Sequence, residues 1–109
     1  MTTVNAELAL DALGDPTRRL VFKRLRAGSH SVREIAEGLD VSRPAVSQHL
    51  KVLKNAGLAI VRIQGTRRLY GIDPQGIEAV RSWLDEFWDN ALIAFKRAAE
   101  WEAAKARKP

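Results

Sequence analysis

Between Ser31 and Gly57 the sequence carries two full sets of helix punctuation, and they leave room for only a brief turn between two helices. Ser31-Val32-Arg33-Glu34 reads as a capping box, in which the serine oxygen accepts from a first-turn amide while the glutamate reaches back to the serine N–H. Gly38 stops the short helix that this opens, and Leu39-Asp40-Val41 makes the turn. Ser42 then caps a longer helix to about Ala56, with Gly57 in the C-terminal capping position. Two helices joined so closely, the second the longer, outline a helix-turn-helix over 31–57.

Projected at about 100° per residue, the second helix separates its side chains cleanly. Val46, His49, Leu50, Leu53 and Ala56 fall on one arc, and Pro44, Ser47, Gln48, Lys51 and Asn55 on the opposite one. The polar arc holds short or amide side chains with one lysine and no acid. A merely solvated helix would mix in glutamates for solubility and pairing. This face is clear for phosphates and base edges.

Downstream, Ala59–Gln64 and Arg67–Ile72 are rich in β-formers, and the two-residue Gly65-Thr66 link suits a type II′ hairpin. Arg62, Arg67 and Arg68 sit on or beside its tip. A basic hairpin after a helix-turn-helix is a wing (residues 58–72) suited to the phosphate backbone or the minor groove. From Val41 to Ile72 the charged residues are Arg43, Lys51, Lys54, Arg62, Arg67 and Arg68, with no Asp or Glu. This segment is therefore +6 in a chain of net charge +5, as suits a partner of negative charge.

The flanks are helical. Val4 to Leu13 reads as a short amphipathic helix ended by Gly14. Asp15-Pro16 then opens a second helix with Leu20, Val21 and Leu25 as its buried stripe and Gly28 at its close. Asp73-Pro74 opens a last helix with no breaker to about Lys105, and the tail from Ala103 to Pro109 is expected to fray. Its apolar positions cover about half the circumference, whereas one core-facing stripe needs only about 100°. Five of the seven aromatic residues lie on it. A 109-residue chain cannot wrap both flanks of such a helix, and monomers rarely expose large apolar patches. One flank is expected on its own domain and the other on a second subunit, together with the first helix. Leu8, Trp83, Phe87, Trp88, Ala91 and Phe95 are the candidate dimer contacts. The fold class is mainly α with a small β-hairpin, in the order α-α-α-α-β-β-α. It is one winged helix-turn-helix domain over 1–109, with dimerisation helices at 1–14 and 74–105 and a basic tail at 106–109.

These residues also carry a family resemblance. Ala12-Leu13-Gly14-Asp15-Pro16-Thr17-Arg18-Arg19-Leu20 resembles the opening of the ArsR/SmtB family of bacterial winged-helix repressors. The stretch from Ser42-Arg43-Pro44-Ala45-Val46-Ser47-Gln48-His49-Leu50 to Leu58 is similar to that family's recognition helix, and the likeness runs from about residue 6 to 95. The resemblance implies a homodimer formed by the first and last helices. It also implies binding to an inverted repeat in a promoter, so that transcription is repressed until something releases the protein.

On this reading Ser47, Gln48 and Lys51 enter the major groove, where an amide such as Gln48 can read adenine bidentately. Ser42, Arg43 and Pro44 bring the helix N-terminus to a phosphate. Arg62, Thr66, Arg67 and Arg68 serve the wing, and Arg18 and Arg19 are weaker phosphate candidates. The metal-sensing pattern of the family is missing. There is no cysteine, and the last helix has no histidine, so the likeness is to members that sense no metal, and no metal or cofactor is expected. His49 borders the apolar arc as a packed side chain, and His30 is expected to face solvent. Glu78, Asp85 and Asp89 share a face of the last helix without a nucleophile or activating partner, which reads as a solvated acidic face, and no enzyme is expected. No membrane span or signal pattern is legible, which points to the cytoplasm. A docking module and a nonspecific architectural DNA binder are the rival readings. The operator and any effector are not written in the sequence.

Overall fold

The computed structural model describes residues 5–107. Five α-helices and one hairpin follow in order: α1 (Ala6–Ala12), α2 (Pro16–Arg24), α3 (Val32–Glu37), α4 (Arg43–Asn55), β1 (Ala59–Gln64), β2 (Arg67–Ile72) and α5 (Pro74–Ala106). A 3-10 turn, Leu25–Ala27, extends α2 before Gly28 closes it. Val4, expected in the first helix, lies outside the described residues. Among the described residues no helix is long and apolar enough to cross a membrane.

Each α-helix begins on a side chain that takes up one of its orphan amides. The Leu8 N–H donates to Asn5, that of Arg18 to Asp15, that of Ala45 to Ser42 and that of Gln75 to Asp73. At α3 the expected capping box is complete, with the Glu34 N–H donating to Ser31 Oγ and the Ser31 N–H to Glu34 Oε1. In the wing, β1 and β2 are antiparallel with Gln64 opposite Arg67, which leaves Gly65 and Thr66 as the turn. Gly65 has φ 65°, while among the described residues no non-glycine residue has positive φ. A left-handed first position alone is the type II′ pattern.

The core gathers one edge from each helix of the helix-turn-helix. Val21 and Leu25, Ile35, and Val46, Leu50 and Leu53 of α4 form one buried cluster with Leu58. Leu20 does not join Val21 and Leu25: it is 47% exposed. Val21 and Leu25 stand one turn apart on the same face, and Leu20 is rotated about 100° from Val21. Phe22, rotated the other way, packs against the cluster. His30 also departs from expectation. Its N–H donates to the Tyr70 carbonyl at 2.9 Å and its carbonyl accepts from the Tyr70 N–H at 2.8 Å, adding a one-residue bridge to the free edge of β2.

The last helix corrects the sequence reading most. It continues through Ala106, so Ala103–Ala106 are helical rather than frayed. Within the protomer its apolar arc is covered only near the N-terminal end. Gly76 is buried and Val80 packs on the core, while from Arg81 to Arg107 every residue is exposed. The division runs along the axis. At about 1.5 Å per residue, 33 residues reach about 50 Å, more than so small a body can cover, and the protomer is accordingly 77 Å long. A wholly intramolecular core for α5 is excluded by the same geometry.

The start of α5 is seated tightly. The Gly76 N–H donates to the Gly57 carbonyl at 2.7 Å, and a Cβ at Gly76 would overlap that carbonyl. Gly76→Ala should therefore force α5 away from the end of α4. The expected cost is about 1–3 kcal/mol, read as a lower urea midpoint, and an unchanged midpoint would show that the junction has slack.

Candidate nucleic-acid interface

Burial of one edge of α4 decides what the opposite face presents. Val46, Leu50 and Leu53 are fully buried, so Pro44, Ser47, Gln48, Lys51 and Asn55 stand exposed with Ser42 and Arg43 at the N-terminus. Ser42 Oγ accepts from the Ala45 N–H at 3.3 Å. The cap uses the oxygen as acceptor and leaves the hydroxyl hydrogen free to donate. His49 is half-buried at the margin of the apolar arc, as expected.

The wing grows directly from the end of α4. The Leu58 N–H donates to the Leu53 carbonyl at 2.9 Å and the Asp73 N–H to the Leu58 carbonyl at 3.0 Å, which ties both feet of the hairpin to the helix. Arg62, Thr66, Arg67 and Arg68 are all exposed. Register and the two-residue alternation of strands divide them. Arg62 lies opposite Leu69 and Gln64 opposite Arg67, so Arg62 and Arg67 share one face. Arg68, opposite Ile63, lies on the other. The sequence grouped three arginines that the hairpin separates.

Arg67 has a partner that no local spacing in the sequence points to. Its Nη2 donates to Glu34 Oε1 at 3.0 Å, and the His30 Nδ1 lies 3.7 Å from the other oxygen of Glu34. A segment free of acid along the chain thus receives a carboxylate in space from α3. Glu34 is held below the usual carboxylate range, first by the Ser31 N–H, then by the Ser31 hydroxyl and the positive charge of Arg67. Asp15 is lowered as well, chiefly by the Arg18 N–H that it caps.

Arg18 and Arg19 are engaged by backbone carbonyls, Arg18 half-buried and Arg19 exposed. Arg18 Nη1 donates to the Ala12 carbonyl at 3.0 Å and Arg19 Nη1 to the Leu13 carbonyl at 2.8 Å. Both cations satisfy the orphan carbonyls at the C-terminus of α1. The second surface is apolar. Leu8 on α1 and Trp83, Phe87, Trp88, Ala91 and Phe95 on α5 are all exposed, Phe95 to 75%. The Trp83 and Phe87 rings meet at a tilt of 60°, with 4.7 Å between centroids. At the root of α5, Leu13, Phe22, Leu58, Ile77, Val80 and Leu84 line an apolar hollow of about 350 Å³.

Known proteins resemble this chain along most of its length. The family model described as "Bacterial regulatory protein, arsR family" matches residues 15–61. The HTH-type transcriptional regulator Rv2034 of Mycobacterium tuberculosis is 51% identical over 86% of this chain and 88% of its own. The transcriptional repressor SdpR of Bacillus subtilis is 30% identical over 70% of this chain and 84% of its own. Among solved structures, the homodimeric winged helix-turn-helix DNA-binding domain Mb0332 of Mycobacterium bovis, a possible ArsR-family transcriptional regulator, superposes with a TM-score of 0.62. It is 25% identical, over 76% of this chain and 77% of its own.

The two lowered carboxylates make stability depend on acid. Because the folded values lie below the ordinary 3.8 of Asp15 and 4.5 of Glu34, the unfolded chain binds protons first as pH falls. Their stabilisation is present above the ordinary values and is lost as pH drops through the lower folded ones. Urea midpoints of the wild type should decline through that window, and the pair Asp15→Asn with Glu34→Gln, which keeps both caps, should flatten the decline. An equally steep decline in the double variant would assign the acid sensitivity elsewhere.

Proposed function

Because the chain belongs to the ArsR family of bacterial regulatory proteins, whose relatives here are transcriptional regulators and not enzymes, we propose that it is a repressor that binds an inverted-repeat operator as a homodimer in the cytoplasm. The observation that carries this reading is the exposed, acid-free face of α4 continuing into the arginine-bearing wing. On it, Ser47, Gln48 and Lys51 meet base edges in the major groove, and Ser42, Arg43 and Pro44 bring the helix N-terminus to a phosphate. Arg62, Thr66, Arg67 and Arg68 contact the backbone or the minor groove. The wing arginines on opposite faces suit a hairpin lying within or astride a groove rather than flat against one strand.

The dimer reading rests on the apolar arc of α5 that leaves its own domain at Arg81. A second copy offers Leu8, Trp83, Phe87, Trp88, Ala91 and Phe95 a matching surface, and Mb0332 is a homodimer of the same fold. SdpR, a repressor, supports the direction of regulation.

The deciding experiment is selection of binding sites from genomic fragments at physiological salt, with added zinc and with chelator. A sharp inverted repeat in both conditions is the expected result. Diffuse, salt-sensitive enrichment would mark an architectural binder, and no recovery of DNA would mark a docking module. On the selected site, Gln48→Ala should cost about 1–3 kcal/mol while leaving random DNA little affected. Unchanged specificity would move the reading face elsewhere. Phe87→Glu should give a folded monomer by sedimentation at micromolar concentration, since in the protomer that ring meets the Trp83 ring of its own helix. A persistent dimer would remove α5 from the interface.

A further inference from the structure

The Glu34 carboxylate does more than close its own helix. The capping box needs one oxygen to accept from the Ser31 N–H, and Oε1 does so at 3.1 Å. The same oxygen also takes a hydrogen bond from Arg67, 33 residues away on the wing. Two features make it a fixed anchor. The cap pins the side chain to the first turn of α3, and the reciprocal His30–Tyr70 backbone bonds pin that turn to β2. His30 Nδ1, at 3.7 Å from Oε2, is beyond hydrogen-bond length and adds a flanking group rather than a competitor.

Arginine presents five N–H donors in a rigid fork. Here Nη2 is engaged by Glu34, and among the described residues Nε and Nη1 donate to no protein acceptor. Both side chains stay substantially exposed, Arg67 to 59% and Glu34 to 45%. An exposed pair of this kind contributes little to folding. What it does is restrict a long, flexible side chain to the arrangement in which its remaining donors are free.

We propose that Glu34 is a positioning residue for DNA binding, holding the Arg67 guanidinium by Nη2 so that Nε and Nη1 are presented to a DNA phosphate. The proposal rests on the DNA-binding reading of the wing and names the residue on α3 through which the wing is aimed. Its sign is opposite to that of bulk charge. Replacing an acid beside the DNA surface by a neutral amide raises the protein's positive charge, which alone tightens DNA binding. Loss of a positioning residue weakens it instead.

The test uses Glu34→Gln, whose amide oxygen can still close the capping box but no longer gives Arg67 a charged acceptor, on a duplex recovered by the selection described above. The expected result is an affinity about threefold weaker than wild type, with the deficit absent when the same substitution is made in an Arg67→Ala background. Unchanged or tighter binding by Glu34→Gln, or an equal loss in both backgrounds, overturns the proposal. A second readout needs no DNA: NMR relaxation of the Arg67 Nε–Hε group should show greater motion in the Gln variant, and equal order in the two proteins overturns it as well. A wild-type protein that binds no duplex overturns the DNA-binding reading itself, an outcome distinct from wild-type binding that Glu34→Gln leaves unaltered.

Discussion

Val46, Leu50 and Leu53 lie fully buried along one edge of α4, in the same cluster as Val21 of α2, Leu25 of the 3-10 turn that follows it and Ile35 of α3. Each such side chain is worth about 1.5–3 kcal/mol when taken from water, so the helix has no freedom to rotate about its axis. Rotation by one residue would expose all three and bury Ser47 or Gln48 without partners, at a further cost for each unpaired polar group. The orientation of the polar face is thus set by the core beneath it. The wing inherits the same constraint, because Leu58 is part of the cluster and hydrogen-bonds back to Leu53.

Local chemistry was legible in the sequence to the extent that it was local. The caps at Asp15, Ser31, Ser42 and Asp73 bind amides two or three residues away, and the Gly65-Thr66 turn follows from the backbone freedom of one residue. The polar and apolar faces of α4 follow from helical periodicity alone. Features that depend on distant partners were hidden. Arg67 meets Glu34 across 33 residues, and His30 pairs with Tyr70 because α3 happens to start beside β2. Arg18 and Arg19 looked free because the carbonyls they cap belong to the end of a different helix. Leu20 looked buried because hydrophobicity marks a face only to within one residue of rotation.

Position along α5 adds what the helical projection left out. A wide apolar arc suggested two neighbours on two flanks, but periodicity reports angle about an axis and is silent on how far along the axis the body extends. The residues that seat α5 on its own domain, Gly76 and Val80, and those left uncovered, from Leu84 to Trp101, occupy overlapping parts of the same arc. A single surface therefore serves its own domain at one end and remains open at the other. The hollow lined by Leu13, Phe22 and Leu84 at the boundary lies where one use gives way to the other.

In the proposed dimer, that arrangement couples dimer geometry to DNA geometry. The first turn of α5 is bonded to the Gly57 carbonyl, and Gly57 immediately follows the last turn of α4. No flexible linker intervenes between the helix proposed to hold the partner and the helix proposed to read the groove. In such a dimer the separation of the two α4 helices is fixed by how the two α5 helices cross, and a two-fold protein with fixed separation selects half-sites at one spacing. Arginines on the wing can supply attraction to any duplex. On the proposed reading, discrimination among sequences needs both the amide of Gln48 at a base edge and the spacing that α5 imposes. On that reading the tight backbone contact at Gly76 bears on specificity together with the side chains of the recognition face.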